Sequence, residues 1–261
     1  MAFRPRKWLD RVIRERAYRG WSELAVSGEG LGMARKRLLR EHAFALRRKL
    51  DLFLIRTDRR NELAREELDA LHLPVGTDWR WRPDFLSAQI RPSGIAAPEN
   101  GATLGDQAAV WHDCPERALI LEQVPNLRAT DLSPFGLRME VFGFAGNYLA
   151  VSFDLPDGAL EGLTQSHILR METGLVLERE MGVYARLNVA NGPNTDQVVH
   201  PLGMLGPGAE SRHVVEFDLA YTEINEKRLE KCWIDLIFEA PHMNALEIRE
   251  LFMSRHLRAD F

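Results

Sequence analysis

The feature that most constrains the fold of this chain is a period of two in its hydrophobic pattern from about residue 117 onward. Apolar and polar residues alternate, or apolar residues run together, in segments rich in β-branched and aromatic side chains, which is typical of strands that bury one face. The pattern predicts eight strands, at 117–124, 137–143, 147–155, 166–172, 174–180, 182–190, 212–220 and 232–240.

Turn-forming residues separate these segments, with few gaps long enough for a helix. The turns are Ala145-Gly146-Asn147, Pro156-Asp157-Gly158, Asn191-Gly192-Pro193-Asn194 and the stretch from Pro201 to Gly208. Many short strands joined by short turns predict a mainly β fold, an antiparallel β-sandwich of jelly-roll type over 117–261. Residues 244–256 fit a strand or a helix, and we favour a final strand because it would cover an exposed sheet edge.

The residues before the sandwich are of two kinds. Helical spacing of apolar residues predicts helices at 5–25, 31–55 and 61–72, which form an N-terminal arm over 1–73. Prolines and glycines are frequent from 74 to 110, which indicates turns and short edge strands. We therefore assign 74–116 as a connection between the arm and the sandwich.

The arm is basic and the rest of the chain is acidic. Residues 1–57 contain 15 of the 34 Lys and Arg but 6 of the 38 Asp and Glu, a net +9, which leaves −13 for residues 58–261. Such an arm is suited to nucleic acid, to an anionic membrane, or to a protein partner. We favour protein partners in an oligomer or larger assembly, because the arginines surround an apolar heptad seam formed by Leu39, Ala43, Leu46, Leu50 and Phe53.

No apolar stretch is long enough to cross a bilayer, and the basic N-terminus lacks the apolar segment of a secretory signal. We therefore expect a cytoplasmic protein, unless it is carried in a virion-like particle. Two cysteines, Cys114 and Cys232, do not make a disulfide framework, and the sequence leaves their pairing open.

No strong catalytic motif is present, and we predict no enzyme, cofactor or metal site. His112-Asp113-Cys114 is the densest polar cluster, but a zinc site needs three or four ligands. Local hydrogen bonds to the backbone explain it better. A glycosidase needs two carboxylates at a defined separation, and nothing selects a pair among Asp154, Asp157, Asp218, Glu223 and Asp235.

Two segments offer a weak carbohydrate-binding signal. Trp79, Trp81 and Arg82 lie in a loop-like stretch, where tryptophan rings would stack on sugars. Asn191 and Asn194 lie in a polar turn that suits sugar hydroxyls or calcium. The alternative for the two tryptophans is that they fasten the arm onto the sandwich, and turn chemistry alone explains the two asparagines.

The body resembles an uncharacterised domain family of alphaproteobacteria, domain of unknown function 6478. The resemblance covers about residues 77–261 and leaves the helical arm open. It rests on Trp81-Arg82-Pro83, His112-Asp113-Cys114-Pro115, the segment 134–142, Ala185-Arg186-Leu187-Asn188-Val189, Asn191-Gly192-Pro193-Asn194-Thr195 and the segment 218–241. The resemblance brings no catalytic residues with it.

That resemblance implies a neighbourhood of phage-like gene transfer particles, whose head spikes contact surface polysaccharide. Our first hypothesis is therefore a non-enzymatic structural protein for assembly and attachment, such as a head-spike component. The alternatives are a carbohydrate-binding module or glycan-active enzyme, and a membrane- or nucleic-acid-associated regulator.

Overall fold

The structure, a computed structural model, describes residues 5–57, 73–128 and 131–258. The chain divides into two compact units, a helical arm up to Leu54 and a β body from Ile55. The third predicted helix, at 61–72, lies outside the described residues.

The arm consists of two helices joined by a short 3-10 turn at Gly28–Gly30. Helix α1 spans Pro5–Ser27 and helix α2 spans Met33–Thr57, which confirms the first two predicted helices. None of the arm residues whose side chains are described is buried. Isolated helices are marginally stable in water, so packing of their apolar residues matters more for these two helices than helix propensity.

The body is a sandwich of two antiparallel sheets. The seven-stranded sheet has the order β11-β8-β13-β6-β5-β2, with β1 added beside β13, and the six-stranded sheet has the order β10-β9-β12-β7-β4-β3. The strands that the structure describes are β1 Thr77–Trp81, β2 Gly94–Ala96, β3 Ala102–Leu104, β4 Ala108–His112, β5 Leu119–Pro125, β6 Phe135–Val141, β7 Leu149–Asp154, β8 His167–Leu177, β9 Met181–Asn191, β10 Asn194–Leu205, β11 Ser211–Asp218, β12 Leu229–Phe238 and β13 Asn244–Leu257.

The connectivity of the last eight strands is that of a jelly roll. One half of the roll is β6-β13-β8-β11 and the other is β7-β12-β9-β10. Counted from β6, these orders are 1-8-3-6 and 2-7-4-5, the arrangement of two interlocked Greek keys. The predicted jelly-roll sandwich with a helical N-terminal extension is therefore confirmed.

The core lies between the sheets, because each strand turns alternate side chains inward. Strand β7 contributes Leu149, Val151 and Phe153, all fully buried. A short helical turn, α3 (Asp84–Ser87), adds Phe85, whose ring stacks on that of Phe153 with 5.9 Å between centroids. With the inner positions filled by apolar residues, the outward positions of the sheets are left for polar and aromatic residues.

Two predicted strands are one strand in the structure. The segments 166–172 and 174–180 run together as β8, with Gly174 in the interior of one strand rather than at the start of a second. Gly174 lies opposite Glu250, where the register of β13 shifts by one residue. A glycine in a strand often accompanies such a bulge, and the prediction instead divides the strand at residue 173.

The prediction missed β10, because its residues carry turn signals. Pro201 and Gly203 flank a register shift in this strand, and β10 pairs only with β9 among the described strands. An edge strand tolerates proline and needs no apolar face. A segment with turn-forming residues at Asn194, Pro201 and Gly203 therefore forms a twelve-residue strand here.

The segment 74–116 also contains more structure than a connection. It supplies β1 to β4 and α3, and these strands extend both sheets. The final strand β13 is confirmed, but it lies in the middle of its sheet rather than at an edge. Its neighbours are β8 on one side and β6 and β1 on the other.

Candidate functional site

A groove of about 750 Å³ crosses the outer face of the six-stranded sheet. Strands β4, β7, β12 and β9 form its floor, because their outward-facing residues line it while their inward-facing residues fill the core. The lining residues are Gly101, Thr103, Ala109, Trp111, Tyr148, Ala150, Ser152, Asp154, Arg186, Lys231, Trp233, Asp235 and Ile237.

A buried carboxylate lies at the centre of the floor. Asp235 lies opposite Ser152 on one neighbouring strand and opposite Arg186 on the other. The Arg186 guanidinium donates to Asp235 Oδ2 from Nε at 2.9 Å and from Nη2 at 2.7 Å, and Asn188 Nδ2 donates to the same oxygen at 2.9 Å. The Ser152 hydroxyl donates to Oδ1. Asp235 thus has donors on both oxygens and fixes the guanidinium of Arg186.

A second ion pair, between Lys231 on β12 and Asp154 on β7, lies further along the same face of the sheet. The ammonium of Lys231 is 2.9 Å from Asp154 Oδ2 and lies 5.5 Å from the ring centroid of Trp233. Both charged side chains are about half exposed, unlike Asp235. A cation near an indole face adds a modest attraction, so Lys231 and Trp233 favour one arrangement together.

Two further aromatic side chains face the solvent at the opposite end of the groove. Trp111 on β4 is 43% exposed, and Tyr148, just before β7, is 41% exposed. Trp111 packs against Gly101, whose backbone has a φ of +77°. The Tyr148 hydroxyl donates to Asn100 Oδ1 at 3.4 Å. Aromatic faces that remain open to solvent beside polar groups suit a ligand with both apolar and hydroxyl surfaces.

The loop before β7 is held by Asp113. Its Oδ1 accepts the backbone N–H groups of Asn147 at 2.7 Å and Tyr148 at 3.2 Å, and its Oδ2 accepts the Asn147 side-chain amide at 2.8 Å. The hydrogen bond from the Asn147 side chain, with those from the backbone, lowers the pKa of Asp113. Gly146 has no room for a Cβ beside Asp113 and Cys114. These contacts set the position from which Tyr148 reaches the groove.

The predicted carbohydrate residues Trp79, Trp81 and Arg82 lie in or just after β1, in the other sheet. Both indoles are partly buried and pack against the core. Arg82 is buried, and its guanidinium donates to both oxygens of Glu250, with 2.8 Å from Nε to Oε1. Ser133 also donates to Glu250, at 2.7 Å. These contacts fasten β1 to the middle of its sheet.

The other two predicted sugar-binding residues lie at the β9–β10 hairpin. Asn191 is buried, and its side-chain amide donates to Asp196 Oδ2 at 2.8 Å, while Asn194 is exposed. The two predicted groups belong to different sheets, and none of the five residues lines the groove.

The His112-Asp113-Cys114 cluster makes local and loop contacts. His112 Nδ1 accepts the backbone N–H of Cys114 at 3.2 Å. Within 5–57, 73–128 and 131–258, no three His, Cys, Asp or Glu residues are grouped as a metal site requires. Cys114 and Cys232 are both buried and unpaired with each other, and burial raises the pKa of Cys232 to about 12.

The predicted assembly residues divide into two groups on α2. Leu39 and Ala43 line an apolar groove of about 270 Å³ between the two arm helices, together with Trp21 and Leu24. The other three, Leu46, Leu50 and Phe53, are 39% to 62% exposed. Among the described helices, none combines the length and apolar character needed to cross a membrane.

The groove itself was not predicted, although Asp154 and Asp235 were among the candidate carboxylates. The signal that could have indicated it is a tryptophan at an outward position of a strand. Trp111 follows inward-facing Val110, and Trp233 lies between inward-facing Cys232 and Ile234. A large aromatic residue on the polar face of an alternating strand is unusual enough to note.

Several solved structures resemble this chain at low similarity. The enzymatically active domain of tailspike protein 4 from bacteriophage CBA120 has a TM-score of 0.42 and 5% identity, over 59% of this chain and 21% of the tailspike chain. The CBM22-1 xylan-binding domain of Xyn10C from Paenibacillus barcinonensis has a TM-score of 0.40 and 10% identity, over 64% of this chain and 94% of that domain. A putative sugar binding protein from Bacteroides thetaiotaomicron has a TM-score of 0.39 and 11% identity, over 60% of this chain and 90% of that one.

Because every one of these TM-scores is below 0.5, nothing about a ligand of this chain follows from them. The aligned region is also about a fifth of the tailspike chain. A family model, in contrast, matches the entire sequence. The chain belongs to the family of unknown function DUF6478, whose model matches residues 1–261.

Proposed function

We propose that this protein is a non-catalytic attachment protein whose body binds a polysaccharide in the groove of the six-stranded sheet. The observation that carries the proposal is the exposure of Trp111 and Tyr148 beside hydrogen-bonding groups that are already held in place. A sugar ring has apolar C–H faces and an equatorial rim of hydroxyls. Trp111 and Tyr148 would contact the faces, and the charged side chains would bond the rim.

Preorganisation supports this use of the groove. Arg186 is fixed by Asp235, so little side-chain entropy is lost when it donates to a ligand. The loop of Tyr148 is held by Asp113 in the same way. A groove of about 750 Å³ on the outer face of a sheet has room for a segment of a polymer.

The test is binding of soluble polysaccharides to the full chain, followed by isothermal titration calorimetry with the one that binds. We expect saturable binding that the double variant Trp111→Ala, Tyr148→Ala reduces by at least tenfold. Tyr221→Ala is the matched control, because Tyr221 is an aromatic residue with 80% exposure outside the groove. Equal losses in both variants, or no loss in either, would contradict the proposal.

The same samples test the absence of catalysis. Asp235 is held by donors on both oxygens, which does not suit a group that must gain and lose a proton during a reaction. The bound polysaccharide should be recovered at its original length after prolonged incubation. New reducing ends released by the wild type, and not by Asp154→Asn, would instead support the glycan-active enzyme that we named as an alternative.

A second function, assembly through the arm, is supported by the exposed apolar row on α2. Leu46, Leu50 and Phe53 lie at heptad spacing and are surrounded by basic residues. Two such arms repel each other, so the fitting partner is an acidic protein surface. Residues 58–261 of a neighbouring copy have a net charge of −13 and offer such a surface. Attachment at the surface of a larger particle, such as a head spike, would use the arm for assembly and the groove for contact.

Sedimentation velocity of the full chain tests the assembly function. We expect association at micromolar concentration that the triple variant Leu46→Ser, Leu50→Ser, Phe53→Ser abolishes. The control Tyr18→Ser, Val26→Ser removes two exposed side chains from α1 instead. A wild-type chain that stays monomeric, or a triple variant that associates normally, would contradict this function.

A further inference from the structure

We infer that the groove selects uncharged polysaccharides and excludes those that carry carboxylate or sulfate groups. This inference rests on the proposed function and names the chemical class of its ligand. It follows from the way in which the charged side chains of the groove are paired.

Four charged side chains line the groove, and they form two ion pairs. Arg186 is paired with Asp235 at 2.7 Å, and Lys231 is paired with Asp154 at 2.9 Å. The lining contains no other Lys, Arg, Asp or Glu residue, so its formal charge sums to zero. Recognition of an anionic sugar normally uses an arginine or lysine whose charge the ligand itself neutralises.

Both cations in this groove already have a carboxylate partner from the protein. Arg186 uses Nε and Nη2 on Asp235, which is one of the two guanidinium edges that can bind a carboxylate. An anion that took this edge would have to displace Asp235, and a buried carboxylate without its partner is costly. An anion that took the Nη1 edge would meet a positive charge that Asp235 already neutralises. At the other pair, the anion would face the half-exposed Asp154 and be repelled.

A hydroxyl group fits the same side chains without this cost. It donates to a carboxylate and accepts from an ammonium or guanidinium group at the same time. Asp154 and Lys231 are both about half exposed, so an adjacent pair of sugar hydroxyls can bond both side chains while the ion pair persists. The aromatic residues add apolar contact that is independent of charge.

Matched ligands provide the test. Galactomannan and a mixed-linkage glucan are each compared with a derivative of the same polymer in which C6 oxidation has converted the primary alcohols to carboxylates and left the sugar rings intact. We expect the unmodified form of the polymer that binds to have at least tenfold higher affinity, and its Kd to change less than twofold between 50 and 500 mM NaCl. Equal or tighter binding of the oxidised form would overturn the inference.

A variant that removes one negative charge from the groove provides a second test. Asp154→Asn frees the ammonium of Lys231, so the ratio of affinities for oxidised and unmodified polymer should rise about fivefold. Glu216→Gln is the control, because it removes one carboxylate from an exposed pair with Arg170 on the other sheet. A ratio that is the same in Asp154→Asn as in the wild type would also overturn the inference.

The outcomes for the two proposals are distinct. A preference for oxidised polymer leaves the polysaccharide-binding function standing and rejects the uncharged class. Binding of neither form rejects both proposals. Folding of each variant is checked by its thermal midpoint, which should be within about 3 °C of the wild type for these exposed substitutions.

Discussion

Gly101 packs against the indole ring of Trp111 so closely that a Cβ on Gly101 would be 3.2 Å from the ring atom Cζ3. The φ of +77° at Gly101 also disfavours any residue with a side chain. The contact supports one side of the aromatic residue that we place at the centre of ligand binding. Glycine at this position is therefore needed both for the turn and for the orientation of Trp111.

Replacement of Gly101 should separate these two roles. Gly101→Ala should lower the free energy of unfolding by about 1 kcal/mol and weaken polysaccharide binding several-fold, because the methyl group pushes Trp111 from its position. Gly162→Ala is the matched control, with a φ of +72° and nothing within 4 Å of the added Cβ. It should lose similar stability, measured by urea unfolding, and keep wild-type affinity by calorimetry. A loss of affinity in both variants would show that the indole contact is irrelevant.

Removal of the Trp111 ring should weaken binding more than any other single truncation in the groove. Trp111→Ala should raise the Kd for polysaccharide roughly tenfold or more, since large aromatic contacts that exclude water contribute about 1–2 kcal/mol or more at binding sites. Trp111→Phe should recover part of the affinity, because it retains an aromatic face. Calorimetry measures both, and an alanine variant with wild-type affinity would refute the role.

The ion pair between Arg82 and Glu250 should be essential for stability. Arg82→Met leaves the buried carboxylate of Glu250 without its main partner, which should cost about 3–5 kcal/mol at neutral pH. Arg117→Met, which breaks an exposed ion pair with Glu99, should cost less than about 1 kcal/mol. Urea unfolding at pH 7 measures both values. A similar small loss in the two variants would contradict the structural role of the buried pair.

The loss of stability caused by Arg82→Met should become smaller as the pH falls. Burial raises the pKa of Glu250, and the nearby Arg82 guanidinium opposes that rise, so the variant has a still higher pKa. A carboxyl whose pKa is higher in the folded state binds protons on folding. Its stabilising contribution is complete at low pH and is lost as the pH rises from the unfolded value through the folded one. The difference in free energy of unfolding between Arg82→Met and the wild type should therefore be smaller at pH 5 than at pH 8. A difference that is larger at pH 5 would contradict this explanation.

Cys232 should be inert in the folded protein. Its pKa of about 12 leaves about one thiolate in ten thousand at pH 8, and its side chain is buried. Iodoacetamide at pH 8 should leave Cys232 unmodified in the native chain and modify both Cys114 and Cys232 in urea, as read by mass spectrometry of peptides. Rapid native modification of Cys232, or a disulfide between the two cysteines, would contradict the structure.

The fold could be predicted from the sequence wherever one face of a strand is apolar. Strand β12 alternates Trp233 and Asp235 with buried Ile234, so its period identifies it. The same rule fails for β10, because Asn194, Pro201 and Gly203 carry turn signals although Val198, Leu202 and Leu205 contact the core. It also fails at Gly174, where β8 continues opposite a bulge in β13 but the prediction divides it into two strands. The local hydrophobic pattern thus predicts strands with a buried face. Edge strands depend on pairing with a neighbouring strand, which the local pattern does not show.

The groove could not be predicted, because it joins residues from distant parts of the chain. Trp111, Asp154, Arg186 and Asp235 become neighbours only when β4, β7, β12 and β9 pair in that order. The carbohydrate signal of Trp79 and Trp81 stays a prediction, and the core contacts of both indoles are reason enough for tryptophan there. To tell a tryptophan that stacks on a ligand from one that packs in the core, one must know which face of the strand carries it. Periodicity gives that face only when the strand itself is recognised.

The position of β13 has a consequence for how the body is synthesised. This strand is the last of the thirteen that the structure describes, yet it pairs with β8, β6 and β1, and Thr77 lies opposite His256. A growing chain that has reached β12 still has an open gap in the middle of the seven-stranded sheet. The seven-stranded sheet can therefore be completed only after residue 257 has been synthesised, and the two halves of the body cannot fold one after the other on the ribosome. Until then, its unpaired strands need protection from other chains.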